Sequence, residues 1–164
     1  MATVSGVPAG GLLVREPRLV PGSIEIVGTD PRFPALLREV DPPPASLFCL
    51  GDPSLLAGPA VAIVGSRAAT RFGSRIAETL GAGLAAEGVV VVSGLARGID
   101  AAAHAGALSV GGATVGVVAG GLDVGVPHAT RPLGRRIARE GCVVTEYEAG
   151  TPPVKGRFPQ RNRI

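Results

Sequence analysis

A chain of 164 residues, 46% apolar and 18% charged, carries a formal charge of +3 at neutral pH. That balance excludes a disordered chain and fits about one folded domain. The charge is uneven: from Arg131 to Arg163 eight basic residues stand against three acidic ones, as a polyanion-facing surface would require.

Residues 1–23, rich in Gly, Pro and small side chains without a sustained period, read as a flexible leader. Residues 24–58 form a small N-terminal cap. In it, Asp30-Pro31-Arg32-Phe33-Pro34 starts a helix with Phe33, Leu36, Leu37 and Val40 on its apolar side, and Asp41-Pro42-Pro43-Pro44 stops it. A strand follows over 46–50, Gly51-Asp52-Pro53 turns the chain toward Leu55-Leu56, and the whole is expected to pack on a sheet edge. Residues 59–164 carry the core, with strands at 61–64, 89–92, 114–118 and 142–145 alternating with helices at 72–87, 99–110 and 130–139. This alternation defines an α/β fold, a Rossmann-like doubly wound parallel sheet with right-handed crossovers. After Glu146 prolines and basic residues are too dense for a strand or a helix interior, so the segment to Ile164 reads as a loop. A four-stranded sheet closing on such a loop reads as incomplete at its C-terminus.

Two strand-to-loop runs carry the functional signal. Val61-Ala62-Ile63-Val64 ends in Gly65-Ser66-Arg67, and Val89-Val90-Val91-Val92 ends in Ser93-Gly94-Leu95-Ala96-Arg97-Gly98. An unbroken β-branched run is the pattern of a buried parallel strand. Small residues after it let the backbone turn beneath a helix N-terminus, where free N–H groups favour a phosphate. Arg67 and Arg97 add charge-assisted contacts. Both loops should open on one sheet edge, so the chain is expected to bind something phosphorylated.

The ligand is not a dinucleotide by this pattern, because no Gly-x-Gly-x-x-Gly follows either strand, and there is no P-loop. Gly81-Ala82-Gly83 falls inside a helix, where its glycines read as close-packing positions. Cys49 and Cys142 sit in apolar surroundings, far apart in sequence and without His or Cys partners at metal spacing. They read as buried free thiols in a reducing cytoplasm, with no metal site and no cofactor. No apolar run approaches the ~18 residues of a membrane span, and there is no secretion signal.

Four motifs in order resemble the DNA-processing protein A family (DprA, also called Smf). They are Ala62-Ile63-Val64-Gly65-Ser66-Arg67, then Ser93-Gly94-Leu95-Ala96-Arg97-Gly98-Ile99-Asp100 through His104, then Gly120-Gly121-Leu122-Asp123, and Gly150-Thr151-Pro152-Pro153 with Phe158 to Ile164. The resemblance implies an extended Rossmann-like fold that binds single-stranded DNA, forms homodimers and loads the RecA recombinase onto incoming strands in natural transformation. It implies a mediator and not an enzyme. Carried over by motif, Gly65, Ser66 and Arg67 would hold backbone phosphates, with Ser93, Gly94 and Arg97 in the second loop. Lys155, Arg157, Arg161 and Arg163 would extend the basic pocket, and Phe158 would offer a face for base stacking. Typical members continue past Arg-Asn-Arg-Ile, so the family's dimer contacts fall largely outside this chain.

Several residues keep two readings. Arg97 binds phosphate or pairs with Asp100 or Asp123, and Asp100 caps its helix. Phe158 stacks on a base or anchors its loop. His104 lacks a catalytic partner, and Arg135 and Arg139 share a solvated helix face. Two rival functions stand beside the mediator. One is a nucleoside-monophosphate phosphoribohydrolase of the LOG type, which the Ala119-Gly120-Gly121-Leu122-Asp123 loop matches only in its first half. The other is a truncated family member that no longer works.

Overall fold

The computed structural model describes residues 17–164, so most of the expected leader lies outside the described residues. Its last part, from Pro17, runs directly into β1 (Ser23–Val27). Five more strands follow: β2 (Ser46–Gly51), β3 (Ala60–Ala62), β4 (Val90–Ser93), β5 (Thr114–Val117) and β6 (Cys142–Thr145). They join in one sheet of order β1-β2-β6-β5-β4-β3. β3 to β6 are parallel, whereas β2 pairs antiparallel with β6 and β1 with β2. The helices are α1 (Arg71–Ala86), α2 (Ile99–Ser109), α3 (Arg131–Glu140) and the short α4 (Arg157–Arg161).

The parallel strands follow chain order, so three right-handed crossovers set α1, α2 and α3 on one face. The register agrees. Val91 packs with Ala85, Ala103 and Ala107 of α1 and α2, while Val143 packs with Leu108 and Ile137 of α2 and α3. Val90, Val115, Val117, Cys142 and Val144 point the other way, against Phe33, Leu37, Leu55 and Leu56. The α/β sheet with Rossmann-like crossovers is therefore present, and the winding seen in the described residues runs in one direction.

Three expectations need correction. The cap does not sit on the sheet's edge as a separate unit: β1 and β2 are strands of the same sheet, and the alternating Ser23-Ile24-Glu25-Ile26-Val27 was the unread signal. Of the expected cap helix only a 3-10 turn, Ala35–Arg38, forms, because prolines on both sides leave too few residues to nucleate a longer one. Phe33 and Leu37 are buried by that turn, and Leu36 is 78% exposed.

Second, β3 is not a buried strand. It is the sheet's edge, with all three residues exposed; only Ile63 beyond it turns inward to the α1–α2 core. A β-branched run marks a strand but not its place in the sheet. Third, the C-terminal segment holds a helix. Pro159 is the third residue of α4, where a backbone N–H would have no partner inside the helix, so the ring is tolerated.

The close-packing role of Gly81 is seen directly: a Cβ there would stand 2.3 Å from the Ala103 carbonyl oxygen. Gly106 of α2 answers it, 2.0 Å from that of Glu78. Gly83, by contrast, faces open space. Between α2 and the sheet His104 is fully buried, with Nδ1 2.7 Å from the Thr114 hydroxyl, which donates to the Val91 carbonyl at 2.7 Å. Cys49 and Cys142 are buried free thiols; the neighbouring Cys49 thiol, and then burial, push the Cys142 thiol up. Among the described residues no helix is long and apolar enough to cross a membrane.

Candidate nucleic-acid interface

Parallel strands deliver their following loops to one edge, and here the loops after β3, β4, β5 and β6 meet there. The two motif loops interlock. Ile99 N–H donates to the Ser66 carbonyl at 3.2 Å, and a Cβ on Gly65 would approach Ile99 Cγ1 to 2.7 Å. Gly98 has φ +81° and lies where a Cβ would stand 2.2 Å from the Ser66 oxygen. Only glycine meets both demands. Gly98→Ala is expected to push the two loops apart at a cost of ~1–3 kcal/mol, read as a lowered urea midpoint; an unchanged midpoint would show that the loops do not depend on this contact.

Arg67 is exposed, and its guanidinium stands over the Phe158 ring, 5.3 Å from the centroid. Ser66 Oγ accepts from Ala68 N–H at 3.1 Å, shaping the turn. Ser93 is turned inward, donating to the Ile63 carbonyl at 2.6 Å and so fastening β4 to the β3 exit. Gly94 is likewise engaged: its N–H donates to Asp100 Oδ2 at 3.2 Å, and its carbonyl accepts from Arg161 Nη1 at 2.9 Å. The polar groups of Ser93 and Gly94 thus serve the loop itself.

Asp100 is spent on Gly94 and Asp123 on Gly150, whose N–H lies 2.9 and 3.0 Å from the two carboxylate oxygens. Neither forms an ion pair with Arg97 within the described residues. Arg97 is exposed, and so is Lys155. Arg67, Arg97 and Lys155 are accordingly three cations on this edge without a carboxylate partner among the described residues.

The remaining basic residues are held from inside. Arg161, half-buried, also donates Nη1 to the Val117 carbonyl at 2.6 Å, bridging the ends of β4 and β5. Burial draws its pKa down from the usual arginine value, the Asp100 charge opposing this and the Arg67 charge adding to it. Arg157 bonds the Pro152 carbonyl and lies over the Tyr147 ring, 4.9 Å from the centroid. Arg163 is gripped by Glu146 and the Pro42 carbonyl, joining α4 to the cap.

Two clefts flank this framework. One of about 270 Å³ has Arg67, Arg97, Phe158 and Arg161 in its walls with Gly125 and Pro153. The other, about 620 Å³, lies on the β3 side and shares Arg67, Phe158 and Arg161. Phe158 is half-buried and lines both.

Sequence reasoning missed the clip beneath. Besides the Asp123–Gly150 bond, Gly121 N–H donates to the Thr151 carbonyl at 2.8 Å, tying the β5 loop to the segment that leads into Lys155 and α4. It also missed Leu95, which takes a positive φ of 56° with its side chain fully buried over Gly116 and its carbonyl accepting from Thr130 Oγ1 at 2.6 Å. A leucine gives no signal for such a conformation. The glycine and aspartate of the two clip motifs were visible, but their pairing across the fold was not.

The C-terminal edge of the parallel strands of this α/β domain thus carries cations without carboxylate partners among the described residues and an aromatic ring. The family model for DNA recombination-mediator protein A matches residues 25–164, and the chain belongs to that family. It is 45% identical over 139 residues to Protein Smf of Synechocystis, covering 82% of this chain and 35% of that protein. It is 45% identical over 135 residues to the DNA processing protein DprA of Streptococcus pneumoniae, covering 82% and 48%. The X-ray structure of that protein superposes with a TM-score of 0.80 at 43% identity, over 85% of this chain and 49% of the other. A Helicobacter pylori DNA processing protein A, whose structure concerns its single-stranded DNA binding mode, gives 0.77 at 33% identity, over 85% and 62%. The chain spans half or less of the length of these curated relatives.

Proposed function

We propose that this domain binds single-stranded DNA through its backbone, without reading sequence, as the strand-holding part of a recombination mediator. The observation that carries the reading is Arg67 and Arg97 beside the half-buried Phe158 ring, with Lys155 exposed on the segment that leads into α4, none of the three having a carboxylate partner among the described residues. Unpaired guanidinium and ammonium groups bind phosphates by charge-assisted hydrogen bonds, and an aromatic face accepts any base. Arg67 already sits on the Phe158 face and would reach a phosphate while the ring takes the base beside it. With four Phe and one Tyr in the chain, stacking is sparse and charge dominates. Gly65 and Ser66 shape the loop that presents Arg67, while Arg161, Arg157 and Arg163 hold α4 in place.

Membership of the family extends the reading to RecA loading, self-association and DNA uptake in transformation. Two buried free thiols suit a cytoplasmic setting. We read the domain as a binder and not an enzyme. Asp123, the acidic residue of the Ala119–Asp123 loop, is occupied by the Gly150 amide, and His104 is sealed in the core.

The test is fluorescence anisotropy of a labelled single-stranded oligonucleotide at two salt concentrations. The parent chain is expected to bind with a steep salt dependence. Arg67→Ala should weaken binding about tenfold, as removal of a charge-assisted bond does, and lower the salt slope by ~0.7. Equal affinity for parent and variant, or binding indifferent to salt, would refute the reading. Release of free base from a nucleoside monophosphate by the parent chain would favour the hydrolase instead.

A further inference from the structure

Outside the clefts, the first two turns of α1 carry a second basic and aromatic surface. Arg71, Phe72 and Arg75 are exposed, Phe72 by 67%, in a protein whose other described aromatic rings are buried or half-buried. Ala69, Arg71, Ser74 and Arg75 line a shallow hollow of about 510 Å³. Neither arginine has a carboxylate within ion-pair distance among the described residues, although Glu78 follows on the same helix. The buried side of α1, at Ala77, Gly81 and Ala85, is spent on α2 and the sheet, so packing does not explain Phe72.

The surface also adjoins the proposed site along the chain. Arg67 and Arg71 are four residues apart, at most ~14 Å along the chain. Between them Thr70 Oγ1 accepts from Gly73 N–H at 3.0 Å and fixes where the helix begins.

We infer that the bound strand leaves the Arg67–Phe158 site along the start of α1, with Arg71 and Arg75 on successive phosphates and Phe72 stacked against a base. The inference rests on the strand-binding reading and adds a direction to it. The alternative occupant is protein, since Ile76 and Leu80, 45% and 52% exposed, continue the apolar line from Phe72. Charge decides for nucleic acid at the first two turns: an apolar protein partner would have to bury two unpaired guanidinium groups there, whereas a strand supplies their counter-charge.

The experiment compares an oligonucleotide of about five bases, enough for the clefts alone, with one of about twenty, within and beyond usual strand footprints. Arg71→Gln with Arg75→Gln should weaken the long strand five- to tenfold and lower its salt slope by ~1.4, leaving the short one unchanged. The chain has no tryptophan, so Phe72→Trp provides a single reporter. Its emission should be quenched by the long strand and not by the short. All these side chains are exposed, and the variants should melt like the parent.

If the double variant binds the long strand as tightly as the parent, or if the tryptophan is not quenched while Arg67→Ala still weakens both strands, the α1 path is wrong and the central site stands. If Arg67→Ala changes neither strand, the strand-binding reading fails and the α1 path with it. Tryptophan emission that changes with protein concentration in the absence of DNA, with no response to the long strand, would make this face a self-association surface and overturn the inference.

Discussion

Replacing Arg161 by alanine is expected to weaken single-stranded DNA binding about 30-fold, ~2 kcal/mol, a greater loss than removing Arg67. The reason is positional. One guanidinium nitrogen serves two main-chain carbonyls, those of Gly94 and Val117, at the ends of neighbouring strands. Loss of that nitrogen leaves two acceptors facing an emptied space and frees α4, which carries Phe158 and follows Lys155. A Cβ on Gly94 would come within 2.3 Å of the same nitrogen, so Gly94→Ala should reproduce part of the effect by displacing the guanidinium. Arg161→Lys keeps a cation, but on a shorter stem that falls short of the two carbonyls and without the planar guanidinium, and should recover little. Full recovery by lysine in the anisotropy assay would show that charge alone matters there, and that α4 is not held by these bonds.

Stability should fall by about 2 kcal/mol between pH 7 and pH 5, and by ~3 kcal/mol once His104 is fully protonated. His104 is buried, and burial draws its pKa down to about 4, only partly offset by the Ser93 backbone. Because the Thr114 hydroxyl is committed to Val91, Nδ1 of the imidazole must donate to it, leaving Nε2 as a buried acceptor without a partner. The folded state therefore holds the neutral ring. Above the unfolded pKa, near 6.5, its contribution is complete; as pH falls toward 4 the unfolded chain takes up a proton that the folded one refuses. His104→Asn keeps a donor near Nδ1 and cannot titrate, so it should flatten the urea-midpoint profile between pH 7 and 5 despite lower stability overall. An unchanged acid drop in that variant would assign the effect to other groups.

The alternation of parallel strands with helices and the span of α1 and α2 were legible because short apolar runs alternate with uninterrupted helical segments along the chain. What escaped has a common cause. The edge position of β3, the membership of β1 and β2 in the main sheet, and the clip between Asp123 and Gly150 are all set by partners distant in sequence. Local pattern names an element but not its neighbour. The site shows the same division. Arg67 and Phe158 were singled out separately, and the structure brings them together. The basic cluster near the C-terminus looked uniform, yet Arg161 and Arg163 are tied to carbonyls and to Glu146, while Lys155 is exposed with no carboxylate partner among the described residues. Whether an arginine holds the protein or awaits a phosphate depends on where its acceptors fold to, and spacing does not encode that.

On the proposed function, the loops following β3, β4 and β6, with α4, form one strand-binding edge. Backbone amide NMR suits a chain of 16.4 kDa and tests this most directly, by titration with a single-stranded oligonucleotide. The shifts are expected to gather at Gly65–Arg67, Gly94–Gly98 and Lys155–Arg161, leaving the cap at 24–58 unmoved and collapsing as salt is raised. Shifts confined to the exposed arginines of α3, or no shifts from a folded chain at low salt, would contradict it.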